Sequence, residues 1–148
     1  VTSYVFKDGN INLKNLDKIK SEVGKEHLVL DLSCRRKDNE YYVVTDRWQR
    51  FTDMKLSVRQ INELASECDE FLIHAVDVEG KAKGIETELV KMLAQSYAVS
   101  TYAGGVGSYE DLELLKKLGK NKVNVTIGSA LDLFGGKIKY ANLKMCNV

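Results

Sequence analysis

The sequence predicts an α/β fold made of repeated strand–helix units. Three observations predict it: short apolar strands centred near residues 30, 73, 100 and 125, a helical pattern after each, and no run of successive hairpins between them. Such a series folds either as a doubly wound open sheet or as a (β/α)8 barrel, and in both the ligands gather at the carboxyl ends of the strands. A chain of 148 residues with 44% hydrophobic residues suits one domain with a real core.

The elements follow in order. Residues 2–6, TSYVF, read as the tail of a strand, and KDGN as a turn with Gly9 as its permissive residue. Leu13, Leu16, Ile19 and Val23 recur at helical spacing, and Gly24 stands where a left-handed C-terminal cap would go. The strand HLVLDLS, a charged turn RRKDNE and the β-branched, aromatic run YYVVTDRW then suggest a short hairpin inserted before the next helix. That helix starts at Ser57, with Gln60 three residues on, and would bury Val58, Ile61, Leu64 and Cys68. EFLIHAV is a strand, DVEGKAKG a loop, and IETELVKMLAQSY a helix with Ile85, Leu89, Met92 and Leu93 on one face. AVSTYA is a strand, GGVG a loop, and SYEDLELLKKLG a helix capped by Ser108 with Asp111 and ended by Gly119. KVNVTIG is the last clear strand, and SALDLFGG gives a helical turn or two.

Composition narrows the function. Lys and Arg total 22 against 21 acidic residues, a net charge of +1, with no basic stripe, which argues against nucleic acid or an anionic membrane as partner. No apolar run approaches the roughly 18 residues of a membrane span and no signal-peptide pattern opens the chain, so a soluble, intracellular protein is expected. Cys34, Cys68 and Cys146 are far apart and lack a CxxC spacing, and they read as reduced thiols. The first residue is Val rather than Met, which suggests a fragment or a processed chain.

The unusual residues all lie at strand ends. In VLDLSCRR, alternation puts Leu28, Leu30, Leu32 and Cys34 on one face and Val29, Asp31, Ser33 and Arg35 on the other. The second face grows more polar toward the carboxyl end, so Asp31 points into a site or into a structural salt bridge. In HAVDVEG, His74 ends a strand, and Asp77 and Glu79 flank a turn closed by Gly80. These groups can bind sugar hydroxyls or exchange protons. A metal site is not expected, because His27 is the only other histidine and no HxH or HxxxH spacing occurs. Gly104, Gly105 and Gly107 lead into a Ser-capped helix, and Gly128 and Ser129 repeat the arrangement one unit later. Glycines admit an anion close to the backbone, and the free amides of a helix start attract phosphate. Two successive units of this kind match the phosphate cradle after strands seven and eight of many barrels.

LVLDLSCRR, FLIHAVDVEG, TYAGGVGSYEDL and GSALDLFGG together resemble, in order and spacing, the eukaryotic phosphoribosylformimino-5-aminoimidazole carboxamide ribotide isomerases of histidine biosynthesis. The resemblance covers nearly the whole chain and implies part of a (β/α)8 barrel of roughly 250 residues, strands four to eight, with residues 1–148 forming the carboxyl-terminal portion of one barrel domain. It implies an Amadori rearrangement of an aminoaldose to an aminoketose, without metal or organic cofactor. A general acid opens the ribose ring, and a general base removes the proton on the adjacent carbon. The acid falls on Asp31, although bacterial members place it where this chain has Ser33; the alternation keeps the face. His74 takes a second catalytic position, where bacterial members usually have threonine, and Glu79 stands where they commonly have aspartate. Ser33, Arg35, Asp77, Glu79 and Gly80 would contact the substrate, a small bis-phosphorylated ribotide, and Gly104, Gly105, Gly128 and Ser129 would hold one phosphate. The family's base lies on its first strand and has no counterpart in this chain, so the fragment alone would be inactive. On this reading Asp31 is expected as a proton donor in a semi-enclosed lumen, its pKa raised by burial so that it stays protonated long enough to act.

Two alternatives stay open. One is the sister cyclase barrel of the same pathway, whose fifth-strand region reads differently; the other is a non-catalytic, phosphosugar-binding half barrel. The resemblance further implies a monomeric parent, a fragment that self-associates through unpaired sheet edges, and a cytoplasmic location, or a plastid one if the source is photosynthetic.

Overall fold

A computed structural model describes residues 2–143. Its centre is a six-stranded sheet with strands β3 (Val29–Lys37), β4 (Glu40–Thr45), β5 (Arg50–Leu56), β6 (Glu70–Ala75), β7 (Val99–Ala103) and β8 (Val123–Thr126), in the order β5-β4-β3-β6-β7-β8. The pairs β3–β6, β6–β7 and β7–β8 are parallel, and β4 and β5 run antiparallel beside β3. The fold is therefore α/β with a mostly parallel sheet, as the strand–helix series predicts.

Each parallel strand shows period-two burial. Leu30, Leu32, Cys34, Phe71, Ile73, Ala75 and Tyr102 are at most 2% exposed and form the packed face. Against it lie α2 (Leu13–Val23), α3 (Val58–Leu64), α4 (Thr87–Leu93) and α5 (Tyr109–Leu118), which contribute Leu16, Ile61, Leu64, Leu89, Val90, Leu93 and Leu115 to the same core. Each such side chain, fully buried, stabilises the fold by roughly 1.5–3 kcal/mol. The opposite face carries Asp31, Leu72, Thr101 and Asn124 in one register row, and Ser33, His74, Ala103 and Thr126 in the next row toward the carboxyl ends. Asp31, Ser33, His74 and Thr101 on that face are partly exposed and Asn124 and Thr126 exposed, which suits polar side chains.

Several expectations change. Residues 2–6 do not form a strand of the sheet: α1 (Thr2–Val5) is one helical turn, and β1 (Phe6–Lys7) pairs with β2 (Asn10–Ile11) in a two-stranded ribbon. Asp8 and Gly9, at φ 53° and 82°, make the two-residue turn that favours such a ribbon. Local closure across this turn takes Phe6 away from any long-range pairing. The charged stretch 35–40 is mostly strand, because β3 runs to Lys37 and only Asp38 and Asn39, both at positive φ, turn the chain. Leu13 and Val23 are exposed, leaving Leu16 as the buried anchor of α2, and Gly24 ends that helix at φ 84° and ψ 146°, a positive φ open to glycine but outside the left-handed helical region. Val58 is only half-buried, whereas Ile61, Leu64 and Cys68 are buried as expected. Ser57 and Ser108 cap α3 and α5, the latter with Asp111 in a full capping box. A 3₁₀ turn (Asp132–Phe134) and α6 (Tyr140–Leu143) end the described chain.

Cys34 and Cys68 are buried free thiols. Burial pushes the Cys34 thiol well up and the Cys68 thiol up to about 11, so neither is poised as a thiolate. Cys146 lies outside the described residues. Among the described residues, no helix is long and apolar enough to cross a membrane.

Candidate functional site

The open face ends, at the carboxyl ends of β3 and β6, in a line of three titratable groups. His74 Nε2 lies 3.4 Å from Asp31 Oδ1, and its Nδ1 lies 3.2 Å from both oxygens of Glu79. Registry explains the first contact, since Asp31 sits one pleat below Ser33 on β3 and Ser33 pairs with His74 on β6. A tight turn explains the second. The amides of Val78 and Glu79 both donate to Ala75 O, at 3.2 and 3.1 Å, which folds Glu79 back over its own strand. The side chains of His74 and Glu79 are 21% and 30% exposed, whereas that of Asp31 is 42% exposed. The burial expected for Asp31 is therefore not found, since its side chain stays 42% exposed at the edge of the cluster.

A second cluster joins Ser33, Arg35 and Asp77. Arg35 Nε donates to Asp77 Oδ1 at 3.0 Å, and the Arg36 amide donates to Asp77 Oδ2 at 2.8 Å, so the carboxylate clamps the end of β3 to the loop after β6. Trp48 Nε1 donates to Ser33 Oγ at 3.2 Å. Arg35 also lies 5.7 Å from the centre of the Phe51 ring, a cation–π contact. The sequence reading missed Trp48, Arg36 and Phe51. The signal was there in TDRW, a polar strand end followed by the chain's only tryptophan.

Beside His74 and Glu79 opens a cleft of about 370 Å³, lined further by Gly80, Gly104, Gly105, Val106, Thr126, Gly128, Ser129 and Ala130. The four glycine and serine positions expected to hold phosphate thus converge on one cavity, together with His74, Glu79 and Gly80. Asp31, Ser33, Arg35 and Asp77 stand apart from its walls. Among the described residues, no group accepts a hydrogen bond from the amides of Gly104, Gly105, Gly128 or Ser129.

The glycines differ in what they do. A Cβ on Gly105 would stand 2.0 Å from Gly84 O, and one on Gly104 would stand 2.8 Å from Ala75 O; both residues have positive φ. They are needed for two loops to touch: Gly84 N donates to Gly105 O at 3.0 Å. The far end of the loop 76–86 is tied down as well. The Glu86 amide donates to the Tyr102 hydroxyl at 2.9 Å, and the Tyr41 hydroxyl donates to Glu86 Oε2 at 2.7 Å. Burial, reinforced by the Glu86 carboxylate, pushes the Tyr41 hydroxyl well up, so it stays a donor. Gly128 is different: a Cβ there meets nothing within 4 Å.

The start of α5 corrects one expectation. The amides that lead into it are partly taken, because Asp111 Oδ2 accepts from Gly107 N at 2.8 Å and from Ser108 N at 3.1 Å, and Ser108 Oγ accepts from Asp111 N at 3.2 Å. A resident carboxylate already occupies the positive end of this helix. Asp111→Ala is expected to lower stability by about 1 kcal/mol, the usual worth of a cap, and a thermal melt checks it; an unchanged melting temperature would mean that the box is idle. Among the described residues, no group of three or more His, Cys, Asp or Glu side chains is arranged to hold a metal ion.

The family model of histidine biosynthesis proteins matches residues 9–139 of the chain. Three relatives carry the name 1-(5-phosphoribosyl)-5-((5-phosphoribosylamino)methylideneamino)imidazole-4-carboxamide isomerase. The protein of Medicago truncatula, named chloroplastic, is 51% identical over 144 residues, covering 97% of this chain and 46% of the relative. That of Yarrowia lipolytica is 44% identical over 152 residues, covering 96% and 58%. That of Saccharomyces cerevisiae is 42% identical over 145 residues, covering 93% and 56%. The chain thus spans about half the length of the curated relatives it matches.

Proposed function

Since the chain belongs to the histidine biosynthesis protein family, we propose that it forms the carboxyl-terminal part of a (β/α)8 barrel that isomerises the bis-phosphorylated aminoaldose named in its relatives to the corresponding aminoketose, with strands five to eight in its sheet and the fourth-strand stretch, residues 2–6, closed into a helical turn and a local ribbon instead. On this reading β3, β6, β7 and β8 are the last four barrel strands, the open face is the wall of the lumen, and the hairpin β4–β5 is an insertion in the loop after β3. The observation that carries the proposal is the convergence, at the carboxyl ends of these strands, of the Asp31–His74–Glu79 line with the cleft bounded by Gly104, Gly105, Gly128 and Ser129. That is where a barrel of this type places its chemistry.

The roles follow from position. Asp31 donates the proton that opens the ribose ring, and His74, in contact with it, shares that proton. The amides of Gly104, Gly105, Gly128 and Ser129 receive one phosphate, since unpaired N–H groups converging on a cavity form charge-assisted hydrogen bonds with a dianion. Ser33, Arg35, Asp77 and Gly80 border the reacting sugar. The second phosphate site and the base that removes the proton from carbon belong to the half of the relatives that this chain does not cover. The enzyme's groups transfer protons while the ring C–O bond opens and the C–H proton leaves to give the enolamine that becomes the aminoketose, and the proposal includes neither metal nor organic cofactor. The complete enzyme would act as a monomer on a free small molecule in the cytoplasm; the Medicago relative's name supports a plastid location as the other option.

An isomerase assay on a polypeptide of the relatives' length containing this chain tests the proposal, and no turnover of the named ribotide would end it. Within that enzyme Gly128→Ala isolates the phosphate role, because Gly128 lines the cleft and the added methyl meets nothing within 4 Å in the fold. KM is expected to rise about 10-fold, as when one charge-assisted hydrogen bond is lost, with the melting temperature unchanged. An unchanged KM would remove Gly128 from the phosphate site.

A further inference from the structure

We propose that Glu79 is a positioning residue that acts through His74, fixing which ring nitrogen carries the proton; this rests on the isomerase reading above. The sequence reading places Glu79 among the substrate contacts, yet both its oxygens are turned to His74 Nδ1 at the same 3.2 Å. An imidazole flanked by two carboxyl groups must donate from one nitrogen and accept at the other, unless it is charged. Glu79 is the better acceptor of the two flanking groups. It is the less exposed, it brings both oxygens to the nitrogen, and the Ala75–Glu79 turn holds it in place. Nδ1–H therefore points at Glu79, and the Nε2 lone pair faces Asp31 Oδ1 3.4 Å away.

This arrangement gives Asp31 a partner for proton transfer. With Nδ1–H committed to Glu79, Nε2 is the free acceptor facing Asp31 Oδ1, so one proton can pass between the two groups. Were the tautomer reversed, Nε2 would already carry a hydrogen and could not accept that proton. Glu79 selects between these two states without touching substrate.

The test uses the full-length enzyme and ¹⁵N spectra of its histidine rings, compared between wild type and Glu79→Gln. Wild type is expected to show His74 as the Nδ1–H tautomer when neutral. Glu79→Gln, whose amide can either accept or donate at Nδ1, is expected to give a mixture, with kcat reduced by about 10–100-fold, the scale on which loss of a histidine's orienting partner acts, and KM within about twofold. Three results would each overturn the proposal: an Nε2–H tautomer in wild type, the same tautomer in both proteins, or a raised KM at unchanged kcat. The last would return Glu79 to the substrate contacts. If Glu79→Gln does not fold, the wild-type spectrum alone decides. The spectra are read without substrate, so an enzyme inactive on the ribotide would sink the isomerase reading and leave the tautomer result standing.

Discussion

Asp31→Asn in the complete enzyme is expected to lower turnover by about 10²–10⁴-fold, the usual worth of general acid catalysis, with KM nearly intact. Asparagine keeps the shape of the side chain and can still donate to His74, but it has no acidic proton to deliver to the ring oxygen. The fold should barely notice. The Asp31 side chain is 42% exposed and its contact with His74 is 3.4 Å, and a half-exposed pair of this kind is worth about 1 kcal/mol or less. This separates catalysis from structure: a large fall in single-turnover rate beside an almost unchanged melting temperature supports the acid, whereas a destabilised protein with normal turnover would show Asp31 to be a structural partner. Ser33→Ala, which removes only the acceptor of the Trp48 indole, should cost far less.

Gly105→Val is expected to act through the fold before it acts on the ligand. Its Cβ would stand 2.0 Å from Gly84 O and 3.0 Å from Val78 Cγ2, and φ is 74°, a region that β-branched residues avoid. Strain of roughly 1–3 kcal/mol in the backbone and about as much from overpacking predict a melting temperature lower by at least ~5 °C, together with loss of substrate binding. The hydrogen bond from Gly84 N to Gly105 O should break as the loops separate. Valine accepted without loss of stability would mean that the loop 76–86 does not rest on Gly105. The contrast with Gly128→Ala is the useful part, because the two glycines border one cleft and only Gly105 is locked by a neighbouring loop.

What was legible in the sequence was whatever has a short period. The alternation in VLDLSCRR places Asp31 and Ser33 on the open face and Leu30, Leu32 and Cys34 in the core, and the structure keeps both sets. The Ser108 cap was equally plain, but its consequence was not: the same Asp111 that completes the capping box fills the anion position that glycine-rich turns suggest. Contacts between distant residues left no trace. Gly84 and Gly105 are separated by a strand and a helix, and nothing in GGVG announces that its second glycine must admit a carbonyl from the preceding loop. At residues 2–6 the β-branched and aromatic side chains suggested a strand of the sheet, while the Asp8–Gly9 pair, legible as a turn but not as the turn of a hairpin, decided the local pairing.

The hairpin β4–β5 has a consequence for observation. Asp46, Arg47 and Trp48 all have positive φ, a cramped turn that delivers the indole to Ser33, one pleat above Asp31. Trp48 is the chain's only tryptophan and is 43% exposed, so under red-edge excitation, which the seven tyrosines barely absorb, the chain's emission comes from one indole, half in water and hydrogen-bonded to the rim of the site. The chain carries its own optical reporter: anything that dries that rim, or pulls the indole off Ser33, is written in the colour and intensity of one side chain.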